Sequence, residues 1–175
     1  MSEEIVWQPS KGRTLRLRVR VDGTLIVSLP TRMSRREAEP FLQKQKTWIE
    51  HARARMSARE HVPKVSGPLR KQERLLATER IRERLAYFNK DARFPIRRVV
   101  IRDQRTRWGS CSSRGTLSFQ YRLIRLPIPL LDYVVVHELC HLHHHHHGPT
   151  FWAAVAALLP DYERLRQALK QYALE

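Results

Sequence analysis

Cysteine is almost missing from this chain: Cys111 and Cys140 are the only two in 175 residues. Two thiols cannot build a disulfide framework, so the fold must rest on an apolar core. The length allows that, as one domain or one with a small appendage. Long apolar runs are also absent. No stretch of about 20 apolar residues occurs and no apolar segment opens the chain, so neither a membrane span nor a signal peptide is expected. A cytoplasmic protein fits best. No internal repeat is present. Acidic residues are scarce, 17 against 33 lysines and arginines, which leaves a formal charge of +16.

That surplus is unevenly placed. Residues 1–125 carry 30 basic and 12 acidic side chains, a net of +18, whereas residues 126–175 carry 3 and 5, a net of −2. A basic surplus confined to one part of a chain favours a polyanionic partner, nucleic acid first. Leu15, Leu17 and Val19 alternate with Arg16, Arg18 and Arg20, the period of a half-buried strand. Val21-Asp22-Gly23 then reads as a three-residue hairpin loop, and its register opposes Leu15, Leu17 and Val19 to Leu29, Val27 and Leu25. The arginines share the other face with Thr24, Ile26 and Ser28. There they either grip phosphates or keep the sheet soluble.

Ser34 and Glu37 have the spacing of a capping box, opening a helix to about Arg59. Its apolar face would hold Ala38, Phe41, Leu42, Trp48, Ile49, Ala52 and Met56. A linker around Pro63, Gly67 and Pro68 leads to a second helix over residues 69–91, using Leu75, Ile81, Leu85 and Phe88. Residues 96–102 read as a strand. Residues 108–111 and 116–122 read as a hairpin, with Leu117, Phe119 and Tyr121 on one face. A final helix is expected over residues 162–174. The class is α+β, with a basic hairpin and helix over residues 1–62 and a core over residues 68–175.

The chemistry is concentrated in His137-Glu138-Leu139-Cys140-His141. The run before it, Leu130 to Val136, is almost wholly apolar, and Pro127 and Pro129 suit a helix start. Residues four apart share a helix face, so His137 and His141 can converge on one ion. Glu138 can then reach a metal-bound water without ligating the metal. Cys140 reads as a small buried hydrophobe, with a soft ligand as the alternative. Five histidines follow at residues 143–147. A continuing helix would string His137, His141 and His145 along roughly 12 Å, too far for one ion. The chain must turn first, and His147-Gly148-Pro149 is a turn sequence, which makes His147 the third ligand. Residues 143–146 are then solvated loop. Three imidazoles leave a position open for water, as a catalytic zinc requires.

Arg107-Trp108-Gly109-Ser110-Cys111-Ser112-Ser113, the helix from Asp132 to Leu142, His147, Phe151-Trp152 and Pro160-Asp161-Tyr162 together resemble the YgjP-like metallopeptidases. His147-Gly148-Pro149-Thr150-Phe151 is also similar to the third-ligand segment of the SprT and WLM proteases, which cut proteins crosslinked to DNA. The resemblance implies a zincin-like fold, one zinc held by His137, His141 and His147, and Glu138 as catalytic base. A peptide bond is then the favoured substrate, another amide the alternative. Tyr133, four residues before His137, is either core packing or an oxyanion donor, and Arg107 is a second candidate donor. Asp161 either starts the last helix or accepts the outer N–H of a ligand histidine. Phe151 and Trp152 read as core. Two other classes compete: a basic nucleic-acid-binding protein with a structural zinc, and a metal-sequestering protein built on the histidine run. No membrane partner is expected.

Overall fold

The computed structural model describes residues 4–20 and 22–174, which form two compact units divided between His61 and Val62. In the first unit, strands β1 (Ile5–Ser10), β2 (Arg16–Val19) and β3 (Leu25–Pro30) make a sheet of order β1-β3-β2. The β2–β3 register sets Leu17 against Val27 and Val19 against Leu25, as the alternation requires. Gly23 has φ +84°, the left-handed conformation open to glycine, while Val21 lies outside the described residues. Arg16, Arg18 and Arg20 are exposed.

β1 is not foreseen by the alternation, and it runs parallel to β3. Pro9 removes a ladder donor from the segment, which suits a strand confined to the sheet edge, where β1 lies. The capping box is present: Ser34 N–H donates to Glu37 Oε2 at 2.7 Å and Glu37 N–H donates to Ser34 Oγ at 3.3 Å. The helix it opens breaks in two, α1 (Arg35–Lys44) and α2 (Lys46–Ser57), with Gln45 at φ −95°, ψ 7°. The break re-aims the second half, so that α2 buries Ile49 and Ala52 with Val19, Leu25 and Val27. Phe41 and Trp48, expected on the apolar face, are exposed. The short strand β4 (Glu60–Val62) spans the junction.

The second unit begins with α3 (Gly67–Phe88) and a sheet of β5 (Arg98–Arg102), β6 (Gly109–Cys111) and β7 (Thr116–Gln120). The order is β5-β7-β6, with β5 parallel and β6 antiparallel to the central β7. A 3-10 turn (Tyr121–Arg125) leads into α4 (Ile128–Cys140), followed by α5 (Pro149–Leu158), α6 (Tyr162–Leu169) and β8 (Tyr172–Leu174). The expected last helix therefore stops early, and its final residues are extended. Leu117, Phe119, Leu123, Val135, Val136, Leu139, Phe151 and Val155 form the fully buried centre. α3 contributes Ala77, Ile81 and Leu85 at four-residue spacing, a stripe that leaves Leu75 outside.

Charged ties fix the layers around α4. Arg84 on α3 grips Asp132 on α4 with two parallel hydrogen bonds of 2.6 and 2.8 Å. Arg125 directs both Nε and Nη2 to the single Oε1 of Glu73, joining the 3-10 turn to α3. Arg122 is wholly buried and donates to the Val62 carbonyl at 2.7 Å. α4 itself is packed by α3, α5, α6 and the edge strand β6.

Candidate metal centre

The site is built on the last turn of α4 and the loop that follows. Leu130 to Val136, Leu139 and Cys140 are buried, which anchors the helix and presents His137, Glu138 and His141 from its end. His141 is the C-cap, and its N–H still donates to the His137 carbonyl. The chain then leaves the helical path. The N–H groups of His143 and His144 both donate to the Cys140 carbonyl, and Gly148 N–H donates to the His146 carbonyl. This turn returns His147 to the helix end just before α5 starts at Pro149.

Three imidazole nitrogens meet there. The Nε2–Nε2 separations are 3.2 Å for His137–His141, 3.1 Å for His141–His147 and 3.0 Å for His137–His147. Nitrogens bonded tetrahedrally to one zinc ion lie about 3.3 Å apart. The triangle thus has the size of one face of such a coordination sphere. His141 Nδ1 lies 2.9 Å from the His144 carbonyl, an acceptor only, so Nδ1 carries the proton and Nε2 offers its lone pair. Lone pairs this close repel unless a cation lies between them, so the donor set fits a divalent metal. Among the described residues these three histidines are the group able to hold an ion. Burial and the neighbouring imidazoles push His137 down to about 3, so it is neutral and available as a ligand at neutral pH.

Glu138 is 6% exposed, and its Oε2 has no hydrogen-bond partner among the described residues. Burial raises its carboxyl to about 8, partly offset by the Arg107 cation. β6 forms the wall over it. A Cβ on Gly109 would stand 2.7 Å from both Cγ and Oε1 of Glu138, so only glycine lets the strand approach this closely. Cys111, at the end of the same strand, is raised to about 11 by burial and then by the Glu138 charge.

The other candidates fall at different distances from this centre. Tyr133 is buried with its ring centroid 5.8 Å from that of His137, and burial lifts its phenol to about 12. Arg107 is exposed and acts on Glu138 as a nearby charge. Asp161 accepts from Arg164 at 2.6 Å, while His137 Nδ1 is buried with no hydrogen-bond partner among the described residues. The carboxylate is therefore committed to a neighbour on α6 and not to a ligand ring. Cys140 is buried in the core and outside the metal-binding group. Arg16, Arg18 and Arg20 belong to the other unit.

Two features of the histidine loop differ from expectation. His143 is not merely solvated: its Nε2 lies 2.9 Å from the Arg93 carbonyl, and its ring rests by Phe94. Trp152, read as core, is only half-buried and stacks on His147, with centroids 5.6 Å apart and planes at 25°. Tyr162 stacks on Trp152 in turn, and the Arg166 guanidinium lies 4.5 Å from the indole centroid. His147 is exposed, and this aromatic stack holds it in place. Arg166 and Gly109 have no signal in periodicity; Gly109 is visible only within the Trp108-Gly109-Ser110 motif.

Three histidines able to hold an ion, beside a buried carboxylate at the end of a core helix, are the arrangement of a metal-dependent hydrolase. The family model described as the YgjP-like metallopeptidase domain matches residues 13–76 and 65–172. The chain belongs to this YgjP-like family and is a metal-dependent peptidase, with the α+β, zincin-like core that the resemblance implies. No curated protein sequence matches it. Among solved structures it is similar to the metallopeptidase zymogen of Pyrococcus abyssi abylysin, at 20% identity over 54% of this chain and 99% of that one, with a TM-score of 0.47. No helix among the described residues is long and apolar enough to cross a membrane.

Proposed function

We propose that the chain is a zinc-dependent endopeptidase in which His137, His141 and His147 hold the ion and Glu138 is the general base. The convergence of three Nε2 atoms beside a buried carboxylate carries this reading. A bound zinc ion would supply the Lewis acid that acidifies water and polarises the scissile carbonyl. Glu138 takes the proton of the attacking water and returns it to the leaving amine. Its burial matches that task, because a carboxyl raised toward neutrality both accepts and releases a proton near pH 7. Tyr133 keeps its phenolic proton and is, with Arg107, a candidate donor to the developing oxyanion.

β6 is an edge of its sheet, and Glu138 lies against it. An extended substrate adds to that edge as a further strand, which positions a peptide bond through its backbone and asks little of its side chains. A structural zinc would call for a fourth protein ligand, whereas the group here has three, and Glu138 would have no role. Both cysteines are free, in keeping with a cytoplasmic location. The exposed Arg16, Arg18 and Arg20 support a second element of the reading: the peptidase acts next to nucleic acid, held there by its basic N-terminal sheet.

The test pairs metal analysis with proteolysis of unfolded protein substrates, with and without single-stranded DNA. Wild type should carry one zinc and cut, and Glu138→Gln should carry one zinc and cut at least 10²-fold more slowly. Equal cleavage by the two proteins would refute the assignment of the base.

A further inference from the structure

The sheet has a second edge, and the side chains around it form a site that peptide hydrolysis leaves unused. β5 is the edge opposite β6, and between β5 and α3 lies a cleft of about 400 Å³. Four cations line it, Lys71, Arg74 and Arg82 from α3 and Arg98 from β5, and no acidic residue does. Other cations of α3 are paired: Arg70 with Asp103, Arg80 with Glu83, Arg84 with Asp132. Among the described residues Lys71, Arg82 and Arg98 make no ion pair. The positive charge is thus left uncompensated on the side of the helix that faces the cleft.

The edge itself is oriented for a partner. Arg98 N–H points to the Gly115 carbonyl, in line with its pairing to β7. Strand alternation then turns the backbone groups of Val99 and Ile101 toward the cleft. Arg74 confirms that direction, since its Nη2 donates to the Ile101 carbonyl at 2.8 Å. Leu75, whose place in the helix pattern predicted a core position, is 60% exposed and lines the same cleft with half-buried Val99. A strand edge, an apolar strip and a ring of cations face one occupant.

We infer that the α3–β5 cleft docks an extended acidic peptide segment, which adds to β5 as a strand and sets its carboxylates against Lys71, Arg82 and Arg98. Backbone pairing supplies the hold and the cations select for acidic side chains. A single-stranded nucleic acid fits less well, because no aromatic side chain lines the cleft to stack a base. The volume is within the range of ligand pockets, enough for a short segment only. A peptide held on β5 lies three strand spacings, about 14 Å, from β6 at the opposite edge of the same sheet. An acidic stretch would therefore be captured on the far edge of the sheet that carries the catalytic edge, without entering it.

The experiment uses the full metal-loaded chain and a fluorescein-labelled peptide of alternating glutamate and valine, read by anisotropy. Wild type should bind it, with affinity falling as salt rises. Replacing Lys71, Arg82 and Arg98 together with serine should weaken binding at least tenfold, while cleavage of an uncharged peptide stays within twofold. These side chains are exposed, so the substitutions leave the core untouched. The same peptide N-methylated at alternate residues should bind at least tenfold more weakly, because it cannot pair with a strand edge. Absent binding, equal binding by the triple variant, or undiminished binding of the methylated peptide would each overturn the proposal. Tighter binding of a short oligothymidylate, lost in the triple variant, would assign the cleft to nucleic acid instead.

Discussion

Replacing Glu138 with glutamine should make the metal-free protein more stable at neutral and alkaline pH, although it destroys the proposed base. Burial moves this carboxyl from its ordinary 4.5 to about 8. Each pH unit between those values is worth about 1.4 kcal/mol, so the folded apoprotein loses roughly 5 kcal/mol on going from acid to pH 8 or above. At pH 7 the loss is about 3 kcal/mol. Glutamine cannot ionise and escapes this cost. It does place an amide in the same dry position, which takes back about 1–3 kcal/mol. The absolute gain is therefore modest, and the pH dependence is the sharper signal.

His137 works in the opposite sense. Its folded value is depressed from 6.5 to about 3, so its stabilisation is complete above pH 6.5 and is lost as pH falls toward 3. For Glu138 the stabilisation is complete below 4.5 and is lost as pH rises toward 8. Between 4.5 and 6.5 the two slopes cancel in wild type. The variant keeps only the histidine slope there and is flat above 6.5, where wild type still loses stability. Urea unfolding of chelator-stripped proteins from pH 5.5 to 8 should thus show the difference growing by about 3 kcal/mol. Adding zinc should shrink it, since a nearby cation favours the ionised carboxylate. A difference that stays constant across that range would refute the buried, ionisable carboxyl on which the reading of Glu138 rests.

Replacing residues 143–146 should leave one zinc bound, whereas alanine at His137, His141 or His147 should abolish tight binding, as read by metal content after dialysis. Gly109→Ala forces a methyl to within 2.7 Å of Glu138, so it should cost about 1–3 kcal/mol in denaturant unfolding and lower kcat/KM by displacing the carboxylate. Serine at Arg16, Arg18 and Arg20 should weaken DNA and RNA binding for all sequences alike and reduce the salt slope by up to about 3, with zinc content unchanged. Wild type without affinity at low salt would make the basic sheet a solubility feature.

What could be read from the chain was set by local geometry. The helical period places His137 and His141 on one face, and a helix cannot deliver His145 to the same ion, so the meeting of three rings at 3.0–3.2 Å follows from spacing and a turn. The β2–β3 register follows likewise from alternation, and the capping box from a three-residue interval. What escaped was set by contacts distant in sequence. Gly109 and Glu138 are 29 positions apart, and nothing local to either says that one must make room for the other. Leu75 obeyed its hydrophobicity on paper, but the stripe of Ala77, Ile81 and Leu85 had already chosen the buried side of α3.

Trp152 shows why such misreadings gather at the site. A half-buried aromatic near a metal ligand has the same composition signal as a core residue, yet here it stacks on an exposed imidazole. His141 is oriented by a hydrogen bond from its outer nitrogen, the arrangement most ligand histidines use. The ring of His147 is steered instead by the indole, which is itself held between Tyr162 and the Arg166 guanidinium. Packing thus holds the ring that the loop supplies, and His137 likewise has no hydrogen-bond partner at its outer nitrogen among the described residues. Since the loop from Leu142 to Gly148 is largely exposed, α5 and α6 must fix His147 from the far side, and this gives the segment beyond the histidine motif its part in the proposed metal centre.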